Sequence, residues 1–508
     1  MAFTPNPPTI YWHDYETFGL TRHLDRPAQF AGMRTDMEMN PVGDPDLWYC
    51  KPSPDYLPQA QACMLTGITP QLAAAKGMPE AEFARAIHRR FNTPGTLVIG
   101  YNNFKFDDEV SRALFWRNLL DMYSHQHRFG CSRWDLYPFV LAVWALRDEG
   151  IVWPTRESDD PEIAKLVTFR LEKLTKANGI VHSHAHDALS DVEATALFAK
   201  LISQKQPRLW QWALANRSKD AVSKALTSGE PCVLIDPSVG QKGGFLRFVL
   251  AVATHPVNRN EVIAWDCRYD PSVLKSMSSE EMWRLAFAPK TMREDNEERL
   301  PLCRVRTNQS PFVCADLRII NQRVRQRFNI NMDEVLENAK KLTQIIPLIQ
   351  GTGAEALQDK RGERQAADDV DLELYEGFVG DLDRDVAKDL AKLSPQELAE
   401  KVHDGRVNFD DPRLDELLFR LRAHSYPETL DEEEMKRYRK MAHRMISGEM
   451  KDRISLEDYF EKIDALADEN AQAEEEGTIS PEKAERRQEI LDALYNWGEF
   501  VGEFAEGH

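Results

Sequence analysis

Acidic residues at three separated places in the chain have the spacing of metal ligands. Asp14 and Glu16 lie two residues apart in the segment HDYETFG. Side chains two apart on a strand project to the same face, so these carboxylates would crowd one point of an otherwise apolar strand. A divalent cation neutralises such a pair, and carboxylate oxygens suit Mg²⁺ or Mn²⁺. Two solvent-exposed acids at the end of a strand would have the same sequence pattern, so this pair alone is weak evidence for a metal site.

The second place is Asp107, which follows the apolar run TLVIGY and two asparagines. We expect a strand to end at this point and a helix to begin. Asp107 or Asp108 could simply cap that helix. Both interpretations hold together if Asp108 caps the helix and Asp107 faces a metal.

The third place is His186 with Asp191, in HAHDALSDVEATALFAKL. Five residues of straight helix rotate by about 500°, which leaves the two side chains about 140° apart. They converge only if His186 lies on the loop entering the helix and Asp191 one turn inside. A lone loop histidine is more often a surface residue. Zinc is disfavoured because carboxylates dominate and the histidines lack a helical i, i+4 partner.

Three zones of the sequence differ in periodicity. Residues 8–202 are α/β: the runs PTIYWHDYET, PAQFAGMRTDME and DLWYCKP predict strands, and alternating helices and one strand follow, which indicates a mixed sheet with helices on its faces. In 203–355 five short β-like runs separated by Gly, Pro and Asn predict a small barrel or sandwich. Residues 360–508 have helical periodicity, and ENAQAEEEGTISPEKAE is expected to be a loop or a solvated helix end.

The net charge of −19 does not decide whether the partner is a nucleic acid. Residues 1–360 hold 43 acidic and 43 basic residues, whereas 361–508 hold 40 acidic and 21 basic. Residues 201–350 carry 22 basic and 16 acidic residues. A neutral body with a basic middle is compatible with a local phosphate-binding channel, without being evidence for one.

The seven cysteines are scattered and form no CxxC pair. This pattern argues against a disulfide framework and against a structural zinc site, and it favours a reducing, cytoplasmic location. The apolar runs are too short to span a bilayer, and the first residues lack the pattern of a secretory signal.

The order of the three motifs, D-x-E, N-x-x-x-F-D and H-x4-D, resembles the DEDDh exonuclease superfamily. The segments HDYETFG, LDRPAQFA, LTGITPQ, FDDEV, SRWD, RLEKLTKANGI and AHDALSDVEAT are similar to bacterial exonuclease I, and LYEGF and LLFRLRAHSYPETL extend the resemblance along nearly the whole chain. The resemblance implies an RNase H-like nuclease domain at 8–202, an SH3-like barrel at 203–355 and a helical domain at 360–508, forming a clamp around single-stranded DNA.

The resemblance also implies an activity, which is processive 3′→5′ hydrolysis of single-stranded DNA to nucleoside 5′-monophosphates in DNA repair and recombination. Two Mg²⁺ ions, replaceable by Mn²⁺, would be the cofactors. Asp14, Glu16 and Asp191 would hold the ion that activates water, Asp14 would bridge to a second ion held by Asp107, and His186 would act as the general base.

The resemblance also implies contacts to the DNA strand and to a partner protein. The expected strand contacts are Glu16, Phe18, Arg170, Arg112, Tyr123 and Lys219. Plain alternatives are an exposed helix face for Arg112, core packing for Tyr123 and a solvated charge for Lys219. The acidic C-terminal tail of single-stranded-DNA-binding protein is the expected partner, with Arg147 and Trp212 at its docking site, and the chain is expected to be a monomer.

Two other functions use the same residues. A DEDDh ribonuclease that trims RNA 3′ ends would have the same catalytic site, because metals and phosphates do not report the 2′-hydroxyl. The two additional domains favour the DNA clamp. A non-catalytic scaffold that binds single strands would have no need of all five catalytic residues.

Overall fold

The computed structural model describes residues 7–181, 188–294, 297–357 and 367–507. The chain folds into two compact units, each built from segments that are distant in the sequence. The first unit comprises Met1–Ser132, His182–Glu193 and Gln365–His508, and the second comprises Arg133–Val181 and Ala194–Arg364. Within the described ranges, none of the helices combines the length and the apolar character that a membrane crossing requires.

The strands occur in two groups along the chain. They are β1 (Thr9–Thr17), β2 (Pro27–Thr35), β3 (Asp46–Tyr49), β4 (Thr96–Gly100), β5 (Ser132–Asp135), β6 (Cys232–Ile235), β7 (Leu246–Thr254), β8 (Glu261–Asp266), β9 (Leu302–Arg306) and β10 (Val313–Cys314).

The helices surround these strands and make up most of the C-terminal part. They are α1 (Ala60–Thr66), α2 (Pro70–Lys76), α3 (Glu80–Phe91), α4 (Asp107–Arg117), α5 (Leu136–Leu146), α6 (Pro161–Ala164), α7 (Leu171–Ala177), α8 (Ala188–Lys205), α9 (Pro207–Asn216), α10 (Lys219–Leu226), α11 (Ser279–Ala286), α12 (Gln322–Arg327), α13 (Met332–Leu357), α14 (Asp381–Leu390), α15 (Pro395–His403), α16 (Pro412–Ser425), α17 (Glu432–Ile446), α18 (Leu456–Glu475) and α19 (Pro481–Glu506).

The first unit contains a mixed sheet with the strand order β3-β2-β1-β4. Strand β1 is antiparallel to β2, with Asp14 opposite Ala31, and parallel to β4, with Trp12 opposite Ile99. Aromatic and β-branched residues dominate β1, and its first half is buried on both faces, as expected for a central strand. The mixed sheet predicted from the sequence is confirmed.

The C-terminal helices share much of their buried core with the N-terminal part of the first unit. Ile490 and Leu494 of α19 share one buried cluster with Phe18 and Tyr56 from the N-terminal part. The indole of Trp497 also donates a hydrogen bond to the carbonyl oxygen of Tyr56 at 2.9 Å. The helical segment and the N-terminal part therefore stabilise each other.

The second unit contains a five-stranded antiparallel sheet in the order β10-β6-β7-β8-β9. All five β-like runs of the sequence become strands of this sheet. The helix α10 closes one side of its core, because Val222 and Leu226 pack against residues of β6 to β9 such as Val249 and Val262. Helices α9 to α13 were not predicted from the sequence pattern.

One local expectation differs from the structure. Helix α4 begins at Asp107, its N-cap position is Phe106, and Asp108 does not cap it. The Asp108 carboxylate instead accepts a hydrogen bond from Asn103 Nδ2 at 3.1 Å. The acidic segment 469–485 comprises the exposed end of α18, which stops at Glu475, a short connection, and the start of α19 at Pro481, as expected for a loop or a solvated helix end.

Candidate active site

The end of β1 is where the mixed sheet opens. Strand β4 pairs with β1 only as far as Trp12, so Asp14 and Glu16 extend beyond the last pairing with β4. Because parallel strands end at the same edge of a sheet, the segment that leaves β4 returns beside these two acids. That segment leads into α4, whose first residue is Asp107.

Three of the predicted ligands converge at this edge. Asp14, Glu16 and Asp191 can each offer one carboxylate oxygen, and these atoms all lie within 4.8 Å of one another. Asp191 lies in the first turn of α8. The convergence brings together residues separated by about 175 positions in the chain, which neither strand nor helix geometry alone would require.

Asp107 is held beside the same strand. Its Oδ1 atom accepts a hydrogen bond from the backbone N–H of Tyr15 at 3.3 Å, and its side chain is buried. The Tyr15 hydroxyl and Ser111 Oγ lie 3.0 Å apart, which joins α4 to β1 one turn further along. Tyr15 thus faces away from its two acidic neighbours and ties α4 to them.

The donor set fits a divalent cation of the Mg²⁺ or Mn²⁺ class. Burial raises the pKa of Asp14 well above its ordinary value, and the neighbouring carboxylates of Asp107, Glu16 and Asp191 raise it further. Like charges at this spacing repel unless protons or cations neutralise them. An all-oxygen set of carboxylates is what hard divalent ions prefer.

Two histidines next to these acids have different status. His186 lies outside the described residues, and the described part of α8 begins at Ala188. His13, beside Asp14, is buried with its ring centroid 4.9 Å from that of Phe91. Burial lowers the pKa of His13 to about 4, so it is a neutral core residue.

Phe18 lies in the core of the first unit. Its ring is 1% exposed and packs against Tyr56 with the centroids 6.2 Å apart. The pairing of β1 with β2 shifts register between Glu16 and Thr17, so Phe18 does not continue the alternation of Asp14 and Glu16. The predicted contact with a terminal base would require this ring to leave the core.

The loop after β1 instead presents Leu20, a residue that the sequence analysis did not single out. Leu20 is 77% exposed. Thr17 Oγ1 donates to the Gly19 carbonyl at 2.6 Å, and the Thr21 N–H donates to Asp25 Oδ2 at 2.7 Å, so the backbone on both sides is held. Leu20 follows Glu16 by four residues. An extended chain of that length spans at most about 14 Å, so Leu20 lies within reach of a terminal nucleotide.

Arg112 and Tyr123 lie together on the outer side of α4. The Arg112 guanidinium is 5.5 Å from the centre of the Tyr123 ring and also pairs with Glu109. Glu109 Oε2 lies 2.9 Å from His23 Nε2 and accepts a 2.5 Å hydrogen bond from the Tyr375 hydroxyl. Burial alone would raise the pKa of Glu109, but the His23 hydrogen bond and the Arg112 charge lower it to about 2.

A groove of about 730 Å³ begins beside Tyr123. Three aromatic side chains at this groove are exposed, Tyr375 at 38%, Phe129 at 69% and Phe378 at 95%. Basic residues outnumber acidic residues in its lining, which includes Arg85, Arg89, Arg128, Arg384, Lys388 and Lys392 with Asp121, Asp381 and Asp385. Exposed aromatic rings with basic neighbours are the features that hold single-stranded nucleic acids.

The remaining predicted contacts lie in the second unit. Arg170 is exposed at the N-cap position of α7, and Lys219 is exposed at the start of α10. Arg147 Nη1 donates to the Ile319 carbonyl at 3.1 Å. The Trp212 ring packs against Phe312, with centroids 5.2 Å apart, in a cleft that Arg217 also lines.

A second group with metal-ligand residue types lies at the start of α17. It consists of His403, Asp431 and Glu434. Glu434 Oε2 already accepts hydrogen bonds from the Asp431 N–H at 3.1 Å and from Arg422 Nη2 at 2.9 Å. These contacts account for the group as a helix cap, and we assign no metal to it.

The chain matches three family models in sequence. These are Exonuclease over residues 11–198, Exonuclease I SH3-like domain over 217–354, and Exonuclease I C-terminal domain over 368–501. The three ranges together cover most of the chain.

Curated and solved proteins agree with these models. Exodeoxyribonuclease I of Escherichia coli K12 is 40% identical over 472 residues, which is 92% of this chain and 95% of that protein. The structure of an exonuclease I from Methylocaldum szegediense matches with a TM-score of 0.86 and 39% identity, covering 97% of this chain and 99% of that one. E. coli exonuclease I in complex with a dA16 oligonucleotide matches with a TM-score of 0.84 and 37% identity, covering 97% and 100%. The chain belongs to the exonuclease I family.

Proposed function

We propose that this chain is a metal-dependent exodeoxyribonuclease that digests single-stranded DNA from its 3′ end to nucleoside 5′-monophosphates. The observation that carries the proposal is the convergence of Asp14, Glu16 and Asp191 within 4.8 Å, with Asp107 tied to the same strand by the Tyr15 N–H. The likeness to an exonuclease I that was solved with a DNA oligonucleotide supports the choice of DNA as substrate. Processive action and a role in DNA repair and recombination are part of the same proposal.

The catalytic roles follow the positions of the side chains. Asp14, Glu16 and Asp191 would hold one Mg²⁺ ion, and Asp14 with Asp107 would hold a second. Bound there, the ions would lower the pKa of the attacking water and stabilise the charge that develops on the phosphate and on the leaving 3′ oxygen. His186, two residues before α8, would take the proton of that water.

The strand would be bound on the first unit by apolar and aromatic side chains. Leu20 lies near the metal ligands and would contact the terminal base. Tyr123, with the guanidinium of Arg112 over its ring, would stack on a base further along, and the groove with Phe129 and Phe378 would receive the following nucleotides. Arg170 and Lys219 would add contacts to phosphates.

The proposed partner is the acidic C-terminal tail of single-stranded-DNA-binding protein. A similar solved structure is that of SSB/exonuclease I in complex with an inhibitor. In this chain the Trp212 and Phe312 rings with Arg217 form a cleft that offers apolar contact and positive charge to an acidic peptide. Arg147 is the further basic residue proposed here. We also propose a monomer in a reducing, cytoplasmic location, in keeping with seven free cysteines.

The test is nucleotide release from DNA and RNA oligonucleotides of the same sequence, labelled at the 5′ or the 3′ end. With Mg²⁺, the 3′ label should leave DNA first as a mononucleotide, and RNA should remain intact. Asp14→Asn should abolish release, because the variant loses the proposed bridging carboxylate. Asp159→Asn, which changes an exposed loop carboxylate, is the matched control and should behave as wild type.

Each other outcome has a definite meaning. Equal activity of wild type and Asp14→Asn would remove the assigned site. Equal digestion of RNA would favour the ribonuclease function. Binding of the oligonucleotide without any release by wild type would favour the scaffold.

A further inference from the structure

The first turn of the C-terminal part lies against α4, the helix whose first residue is Asp107. Residues 369–375, named here the bracing segment, contact this helix at both ends. Trp116 Nε1 donates to the Val370 carbonyl at 2.8 Å near the end of α4. The Tyr375 hydroxyl donates to Glu109 at 2.5 Å in its first turn. The bracing segment therefore holds α4 along its length.

Buried ion pairs fix the start of the bracing segment. Asp371 is fully buried and accepts hydrogen bonds from Arg26 at 2.9 Å and from Arg420 at 3.1 Å. Asp369 accepts from Arg420 at 2.5 Å and from Arg453 Nε at 2.9 Å. Breaking such a network leaves a buried charge without a partner, which is strongly unfavourable. The segment is thus a rigid support that α4 contacts.

Glu109 is the residue through which this support contacts the first turn of α4. It lies two residues after Asp107. Its carboxylate binds His23 from the loop after β1 and Tyr375 from the bracing segment, so three parts of the chain meet on one side chain. Among the described residues, the Tyr375 hydroxyl also lies 3.3 Å from Arg112 Nη1. Arg112 belongs to α4 as well, so both contacts of this hydroxyl join the bracing segment to the same helix.

Metal ligands need such support because a displacement of about half an ångström already weakens binding. Neighbouring carboxylates at this site also repel each other, and Asp107 is the one that enters from α4, whereas Asp191 enters from α8. We propose that Tyr375, acting through Glu109 and α4, is a positioning residue for Asp107 and sets the affinity of the site for divalent cations. The proposal rests on the metal site of the proposed function but extends it to a residue 268 positions away from Asp107.

The experiment measures Mn²⁺ binding by calorimetry on the full chain without DNA, together with the Mg²⁺ concentration that gives half-maximal nucleotide release. Tyr375→Phe removes only the hydroxyl and keeps the ring next to His23, whose centroid is 5.7 Å away. The affinity for Mn²⁺ should fall about tenfold, and the Mg²⁺ concentration for half-maximal release should rise by a similar factor. About tenfold is the smaller of the losses in metal affinity that follow when a residue supporting a metal ligand is removed. The KM for the oligonucleotide should stay unchanged, as should the melting temperature in chelator.

Two further variants complete the design. Trp116→Phe removes the other contact with the bracing segment and should lower metal affinity in the same direction. Tyr495→Phe changes a tyrosine of α19 that is 41% exposed and should change nothing.

Retention of wild-type Mn²⁺ affinity by Tyr375→Phe would overturn the inference. A raised KM with unchanged metal affinity would overturn it too and would make Tyr375 a contact of the strand. The wild type could bind Mn²⁺ more tightly than Tyr375→Phe and yet release no nucleotide. In that case the proposed function fails, while the positioning role of Tyr375 stands.

Discussion

Carboxylates are crowded at the end of β1, so their mutual repulsion should lower the stability of the folded protein when no cation is bound. The perturbation is Asp14→Asn, which keeps the shape of the side chain and removes its charge. Carboxylate oxygens of Asp14, Glu16 and Asp191 lie within 4.8 Å of one another. Burial raises the pKa of Asp14, and the charges of these neighbours raise it further. Its ionisation in the folded protein is therefore unfavourable.

The size of the effect follows from Coulomb's law. Two unit charges 4.8 Å apart repel by about 3.5 kcal/mol at an effective dielectric constant of about 20. Partial protonation of Asp14 removes some of this repulsion, so the net gain expected for Asp14→Asn is about 1–3 kcal/mol in the metal-free protein at neutral pH. Because the folded-state pKa of Asp14 is raised, wild type loses stability as the pH rises through that pKa, and the variant does not.

The assay is thermal unfolding of wild type and Asp14→Asn, in chelator and in excess Mg²⁺. In chelator the variant should melt at the higher temperature. Added Mg²⁺ should raise the melting temperature of wild type much more than that of the variant, because the bound state gains stability by mass action. Asp159→Asn should match wild type in both buffers. A variant that melts below wild type in chelator would refute the reasoning that these carboxylates repel each other.

Three other expectations concern side chains outside the ligand set. Burial alone would raise the pKa of Glu80, but Arg117 and Arg26 lower it to about 2 from 4.5. The charge of Glu80 therefore stabilises the fold above pH 4.5, and this contribution is lost as the pH falls towards 2. In urea unfolding, Glu80→Gln should lower the free energy of unfolding by about 3 kcal/mol at neutral pH and by less in acid, and a difference that stays constant with pH would contradict this. Leu20→Ala should raise the KM for short oligonucleotides about tenfold with unchanged metal affinity, and an unchanged KM would remove Leu20 from the strand path. Phe378→Ala should weaken binding of long oligonucleotides by about 1–3 kcal/mol in anisotropy titrations, whereas that of short oligonucleotides should not change.

Features with a short-range origin could be predicted from the sequence. The period of two along a strand places Asp14 and Glu16 together, and the structure has both beside Asp191. The β-like runs of the middle zone all became strands, because alternating apolar residues between turn residues leave few alternatives. The start of α4 was placed within two residues, although Asp108 does not cap it.

Other features depend on contacts that no local pattern encodes. The Tyr375 hydroxyl meets Glu109 across 266 residues, and Arg26 meets Asp371 across 345. The position of Phe18 depends on a register shift directly after Glu16, which a strict alternation does not contain. The role of His186 stays a prediction, since it lies outside the described residues.

The ion pairs between Arg26 and the bracing segment have a consequence for synthesis of the protein. Arg26 leaves the ribosome 345 residues before Asp371 does. Until then the Arg26 guanidinium can pair with Glu80, which lies 3.8 Å away, but lacks its 2.9 Å contact with Asp371. A nascent nuclease of this kind should therefore stay incompletely folded, and unable to attack DNA, until the segment that contains Asp371 has been translated.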